Sequence, residues 1–388
     1  MTINIKQVEM EQRCEKILST LVKINSTHPK GNEMDMIKAI LSFFENDSIL
    51  YKVIDHGVNR ASLVITIPGE NSSTSVAFIG HVDTVPVGHI DEWTHPPFEA
   101  FRNGDFMFGR GTADMKGGIT AMILTILYLL EHEVTPRQDL HFCFTADEES
   151  DGMGILSLKE AGYFTNTREI IIPEPTNEKV GIAEKGALWL EVSAKGIPAH
   201  GSRPELGVNA IEKLMEFINL LRIEIDTAYD HPLLGKATIS VNEFEGGVKT
   251  NIIPAHAKMS LDIRTLPTEK NEEIISKSKK IAQYLMTEYE KLHIDIEIKN
   301  NRPAIQTEHT NEFVMKVKRI CDEVSGELDF KGLYFYTDAS QVVPDLNVPF
   351  VILGPGDDEM AHQLNEKIAL SSIRRITEIY IRYILEVA

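Results

Sequence analysis

Cysteine is scarce in this sequence. Cys14, Cys143 and Cys321 are odd in number, widely separated and form no CxxC pair. That argues against a disulfide scaffold and a cysteine-ligated zinc site, and it fits a reducing cytoplasm. Long apolar runs are also lacking. The longest, Ile119–Leu130, is interrupted by threonines and falls short of the ~20 residues that a membrane span needs, so it reads as a buried helix. The opening stretch MTINIKQVEMEQRCEKIL has no basic start followed by an apolar core, so no secretory signal is expected. Positive charge is short as well: 39 Lys and Arg stand against 58 Asp and Glu, a formal net charge of −19. Such a field repels nucleic-acid phosphates and anionic membrane surfaces, and no Lys/Arg cluster is dense enough to overrule it locally. Small molecules are the expected partners, and bound cations would neutralise part of the excess.

What is present is an ordinary globular composition, with 43% hydrophobic and 25% charged residues and no low-complexity tract or solenoid repeat. A chain of 388 residues exceeds what one core usually organises, so two domains are expected. Amphipathic helices are predicted at about residues 9–23 and 33–46, the second with Asn32 as N-cap. Strands follow near 51–55, 62–67 and 75–80, then a long polar loop, a helix near 117–131, a strand near 140–146, a helix near 155–161 and a strand near 169–173. Apolar strands alternating with helices indicate an α/β sheet covered on both faces. From about residue 188 the rhythm becomes β-α-β-β-α-β, the ferredoxin-like order. After Asn300 the first rhythm resumes, with a helix near 311–323, a strand near 350–353 and a closing helix from about Lys367. The expected organisation is a catalytic domain of residues 1–184 and 299–388, interrupted by a smaller inserted domain of residues 185–298.

The informative residues sit where apolar strands end. The first of these strands runs into His81-Val82-Asp83, whose spacing puts both polar side chains on one side of an extended chain, and ligands of open α/β sheets bind beyond the carboxyl ends of strands. Taken alone, this is more often a solvated pair. GRGTADMKGG, residues 109–118, leads into the apolar helix with glycines that permit a sharp turn. It lacks the spacing of a phosphate loop, and Asp114 reads equally as a helix cap or a metal ligand. Asp147-Glu148-Glu149 puts three acids directly after a buried strand, an arrangement that costs stability unless a cation or proton intervenes. Glu174 follows another strand, and Gly354-Pro355-Gly356 precedes His362.

HVDTVP, GRGTADMKGG, TADEES, PEPTN, GPG and AHQLNE, in this order, make the chain resemble the M20 metallopeptidases, which include acetylornithine deacetylases and succinyl-diaminopimelate desuccinylases. The resemblance covers nearly the whole chain. It implies a zinc-peptidase-like catalytic domain, a mixed central sheet flanked by helices, interrupted by a ferredoxin-like lid and dimerisation domain. It further implies two divalent ions, zinc or else cobalt, on His81, Asp114, Glu149, Glu174 and His362, with Asp114 bridging. Imidazole nitrogen and carboxylate oxygen are normal zinc donors. By the same resemblance Asp83 orients His81 through its second ring N–H, and Glu148 is the general base that later returns its proton to the leaving amine. His200, in the inserted domain, is implied to stabilise the oxyanion from the other subunit of a homodimer. Asn251 and Arg264 are implied substrate contacts, Arg264 suiting a carboxylate. Thr337-Asp338-Ala339-Ser340 departs from the Gly-rich form common in desuccinylases, and Asp338 reads as a site wall or a helix cap.

The activity expected is removal of an acyl group from an N-acyl amino acid by a cytoplasmic hydrolase. The alternatives are a di- or tripeptidase of the same family and, from a different class, a catalytically idle metal-binding dimerisation module. A two-metal phosphatase fits less well, because few cationic side chains accompany the acidic motifs.

Overall fold

Segments dense in β-branched and aromatic residues lose little by extension and gain from burial on a pleated surface. Ala61–Ile67 and the second half of Asn71–His81 are such runs, buried at nearly every position. In the computed structural model, which describes residues 7–29, 31–44, 49–225 and 229–387, they pair into a large mixed sheet. Its strands follow in the order Leu50–Asp55, Ala61–Ile67, Gln138–Thr145, Asn71–His81, Thr167–Ile172, Phe350–Ile352, Gly181–Glu184 and Ile305–Gln306, with Lys331–Leu333 also paired to Gly181–Glu184. The four from Gln138–Thr145 to Phe350–Ile352 are mutually parallel. Their carboxyl ends therefore open on one edge, with His81 opposite Thr145 in register.

Helices flank this sheet. Gly117–Glu131 packs against Gln7–Val22 and Leu370–Val387. With the turn before it, this helix is long and apolar enough to cross a membrane, yet 78% of its apolar window is buried inside the protein. It is a core helix, as its interrupting threonines suggest: Thr120 and Thr125 return their hydroxyls to the carbonyls of Lys116 and Ala121.

The chain divides into two compact units. The first holds most of the large sheet and comprises residues 1–182, 307–331 and 337–388; the second comprises residues 183–306 and 332–336. In the second, strand Ala187–Lys195, helix Ala210–Glu224, strands Thr238–Gly246 and His256–Arg264, helix Asn271–Glu288 and strand His293–Arg302 follow in the β-α-β-β-α-β order. They form an antiparallel sheet with Ala187–Lys195 between His256–Arg264 and His293–Arg302. Leu190, Val192, Met259 and Leu261 meet Leu214, Phe217 and Leu285 in its core. Asn209 caps the first of these helices through the N–H groups of Ile211 and Glu212.

Three local expectations change. Asn32 precedes the helix Glu33–Ser42 without capping it; its side-chain amide donates instead to the Asn25 carbonyl at 2.7 Å. The expected end of that helix, near Asn46, lies outside the described residues. Lys367–Ala369 is a strand, paired with Phe106–Phe108, which in turn pairs with Phe101–Asn103 in the polar loop. The closing helix starts at Leu370, where Asp105 caps it by accepting the Ser371 N–H at 3.0 Å. A short helix, Ala339–Leu346, carries Pro344 inside, which hides it from a periodicity reading.

Candidate metal centre

The acidic and imidazole side chains come from strand ends, the loops that follow them and the turn before the helix Gly117–Glu131. His81 closes its strand and is 1% exposed. Its Nε2 lies 3.0 Å from Oδ1 of Asp114 and 3.3 Å from Oε1 of Glu174. His362, at a left-handed φ of 63°, places its Nε2 3.3 Å from Oδ2 of Asp114 and 3.2 Å from Oε2 of Glu149. Asp114 thus offers one oxygen to each of two groups, His81 with Glu174 and His362 with Glu149. The donor atoms of His81, Asp114 and Glu149 lie within 4.8 Å of one another.

Asp114 reaches this position because the turn before the apolar helix is not helical. Its backbone is extended at φ −118°, ψ 96°, and Gly111 turns the chain at φ 82°. Asp114 is therefore no helix cap. Gly118 lets the following helix approach the strand exit at Pro173, since a Cβ there would stand 2.1 Å from the Pro173 carbonyl oxygen.

Asp83 holds two neighbours at once. Nδ1 of His81 donates to the Asp83 backbone carbonyl at 3.0 Å, while the Asp83 carboxylate stands 3.7 Å from that nitrogen. The bond from the second ring nitrogen of His81 to Asp83 is thus made to the backbone carbonyl. The carboxylate accepts instead the backbone N–H groups of Glu148 and Glu149 at 3.2 and 3.1 Å, fixing the turn that presents both acids. Asp147, at φ 70°, makes that turn and pairs with Arg60 at 2.6 Å. Arg60 also binds the fully buried Glu33.

The electrostatics follow from this crowding. Burial opposes ionisation of Asp114, but hydrogen bonds from His362 and His81 overcome it and hold its carboxyl well below the usual range. Burial pushes Glu148 well above its ordinary value against the pull of His81, with Glu149, Asp338 and Glu174 adding to the rise. Burial likewise raises Glu174 to about 7 and Asp83 to about 7, each opposed by His81. Hydrogen bonds to Asp114 and Glu149 raise His362 to about 10.

Charge and donor chemistry test whether divalent cations fit. Asp83, Asp114, Glu148, Glu149 and Glu174 converge, and among the described residues their ion pairs are with the two imidazoles alone. A buried acidic excess of this kind is stable with bound cations. The N and O donors suit zinc, and they divide naturally into two sites sharing one aspartate.

His200, Asn251 and Arg264 lie in the second unit. His200 bridges to Ile252, and the next residue, Gly201, donates its N–H to the Asn251 carbonyl at 2.8 Å, so the His200 and Asn251 loops are neighbours. Nδ1 of His200 accepts the Ser202 N–H at 3.2 Å, which leaves Nε2 to carry the proton of the neutral ring. The Arg264 guanidinium is engaged with Asp262 at 2.8 and 3.2 Å. Asp338, in the first unit, stands at the start of the helix Ala339–Leu346 without a side-chain capping bond; its buried carboxylate accepts the Thr145 hydroxyl at 2.6 Å.

Sequence reasoning missed Arg60 and Glu366. Glu366 is fully buried and lies in the AHQLNE motif, four residues after His362; that proximity was the only available signal.

A mixed α/β sheet with two imidazoles and a shared aspartate at its carboxyl edge defines a metallohydrolase. The chain belongs to peptidase family M20/M25/M40, which residues 77–386 match, and it is a metal-dependent hydrolase. A protein of Staphylococcus epidermidis named probable succinyl-diaminopimelate desuccinylase is 29% identical over 95% of this chain and 96% of its own length. An uncharacterised metallohydrolase of Methanocaldococcus jannaschii is also 29% identical, over 96% of this chain and 99% of its own. Aminopeptidase PepT from Bacillus cereus has the same fold, with a TM-score of 0.77 at 20% identity, covering 96% of this chain and 98% of that one. So does a dinuclear metal-binding M20 peptidase from Bacillus subtilis, with a TM-score of 0.74 at 16% identity and 97% coverage of both chains.

Proposed function

We propose that this chain is a cytoplasmic, dinuclear zinc amide hydrolase that removes the acyl group from an N-acyl amino acid, succinyl-diaminopimelate or a close analogue such as N-acetylornithine. The observation that carries the metal assignment is the division of Asp114 between two imidazole–carboxylate pairs. His81, Asp114 and Glu174 would hold one ion, and Asp114, Glu149 and His362 the other. The acyl-amino-acid substrate class rests on the full-length likeness to proteins named as probable desuccinylases.

Divalent ions held by these residues would supply Lewis acidity toward the scissile carbonyl and lower the pKa of the attacking water toward neutrality. Glu148 takes the proton from that water and gives it to the leaving nitrogen. Its burial among acids favours the protonated form, so the carboxylate is basic enough to take the water's proton and carry it to the leaving nitrogen. Asp83 keeps Glu148 in place through its backbone N–H, and keeps the His81 ring oriented. In a homodimer formed through the second unit, His200 of one protomer donates its Nε2–H to the oxyanion in the other, with Asn251 beside it. Arg264 binds the substrate carboxylate once it exchanges Asp262 for it.

A di- or tripeptidase is the second reading, favoured by the likeness of the fold to aminopeptidase PepT and to a Staphylococcus aureus tripeptidase. One panel separates them: N-succinyl-diaminopimelate, N-acetylornithine, and unblocked di- and tripeptides, assayed with added zinc or cobalt and metal analysis on the same sample. Preference for free peptides over both acyl-amino acids sinks the deacylase reading. Absence of turnover by fully metallated protein on every substrate favours the idle module.

A further inference from the structure

Glu366 is fully buried beside the turn that carries Asp114, and its bonding is unusually complete. Its Oε1 accepts the backbone N–H groups of Ala113 at 2.7 Å and Asp114 at 3.1 Å. Its Oε2 accepts the Gly111 N–H at 2.9 Å and Nη1 of Arg110 at 2.8 Å. Its own backbone carbonyl accepts the Gly109 N–H at 2.9 Å. Four donors on one carboxylate, all from a run of five residues, bend that run around a fixed anionic point.

The run so gripped is the one that must stay irregular. Gly111 sits at φ 82° and Asp114 is extended, directly before a regular helix. Left to local preference, amides at a helix entrance would be solvated or capped by a neighbouring side chain. Here they are satisfied by a residue about 250 positions further on, in the segment that also carries His362. Glu366 therefore ties the Asp114 turn to the His362 loop through bonds that do not involve either donor side chain.

We propose that Glu366 is a positioning residue for the metal centre: its carboxylate sets the backbone of the Gly109–Asp114 turn so that Asp114 directs one oxygen to each ion, in register with His362. This rests on the reading of Asp114 as the shared ligand. The side-chain amide of Glu366→Gln can present a carbonyl to Ala113 and Asp114, but then turns an N–H₂ group toward Gly111 and Arg110, which are themselves donors. Glu366→Asp keeps the charge and withdraws it by one methylene.

The test measures Zn²⁺ binding to metal-free full-length protein by competition with a chromogenic chelator. Wild type, Glu366→Gln, Glu366→Asp and Asp114→Asn are compared, with thermal melts and amide hydrogen exchange of the metal-free forms. Both Glu366 variants are expected to fold and to bind zinc about 10–100-fold more weakly than wild type. The amides of Ala113 and Asp114 should exchange faster, and kcat at saturating metal should fall with KM within about threefold, a split that a general loss of stability does not produce. Wild-type zinc affinity in both variants overturns the proposal, and so does loss of the folded state in both, which would make Glu366 a folding residue. Asp114→Asn tells the two readings apart. If it still binds two ions at wild-type affinity, the ligand assignment itself fails; if it loses them while the Glu366 variants do not, only the positioning role fails.

Discussion

Replacing Gly118 with alanine puts the link between core packing and the metal centre to a quantitative test. An added Cβ would stand 2.1 Å from the Pro173 carbonyl oxygen, 2.8 Å from the Pro173 Cβ and 3.0 Å from the Pro173 carbonyl carbon. Such contacts do not occur below about 3.0 Å, so the helix Gly117–Glu131 and the strand exit must separate by roughly 0.9 Å. Neither side yields easily, because one is a buried core helix and the other is backbone. Overpacking of this kind costs about 1–3 kcal/mol. The displacement also acts on the next residue, Glu174, whose Oε1 is 3.3 Å from Nε2 of His81. Misplacement of a reacting group by about 1 Å can cost on the order of 100-fold in rate. Gly118→Ala is therefore expected to lower the urea midpoint and to lower kcat/KM by about two orders of magnitude, measured at saturating metal. Activity within threefold of wild type together with an unchanged midpoint would refute the reasoning.

Glu148→Gln should retain two bound ions by elemental analysis and lose turnover about 10²–10⁴-fold; more than a few per cent of residual activity removes Glu148 as the proton carrier. His81→Ala should lower the zinc content of the purified protein, and full occupancy would take His81 out of the ligand set. Away from the centre, Glu178 accepts both Nε and Nη2 of Arg375 at 2.7 and 2.6 Å and the Ser325 hydroxyl at 2.7 Å. Burial works against its ionisation, but these bonds win and lower its carboxyl. A folded-state value below the unfolded one means stabilisation that is complete above the unfolded carboxylate pKa and is lost as pH falls through the folded one. Because Arg375 is 40% exposed, solvent screening keeps the contribution to about 1–2 kcal/mol. Glu178→Gln should thus be less stable than wild type at pH 7 by that amount in urea denaturation, and the gap should narrow below about pH 4. A gap that does not change with pH would assign the loss to packing rather than to the ion pair.

The order of elements was legible along the chain because it depends on local periodicity. Apolar runs marked the buried parallel strands, and the switch to β-α-β-β-α-β near residue 188 is the order found in the second unit. Short elements were not legible. Lys367–Ala369 forms a strand only because Phe106–Phe108 lies beside it, and a three-residue strand carries no periodic signal of its own. Asn32 has the residue type of a cap, but a partner in the Asn25 turn takes its side chain instead.

For the centre, the sequence by itself determined which side chains are candidates: acids and histidines directly after apolar strands, in motifs whose order makes the chain resemble M20 metallopeptidases. It could not decide how they are held. That the Asp83 carbonyl orients His81 while its carboxylate grips the Glu148–Glu149 turn depends on two strand ends lying side by side in a parallel sheet. That Glu366 secures the turn bearing Asp114 depends on a contact across about 250 residues of chain. Local chemistry places donors at the ends of strands, where backbone and side chain leave the sheet together. Their distances and partners come from long-range packing, which no stretch of sequence contains.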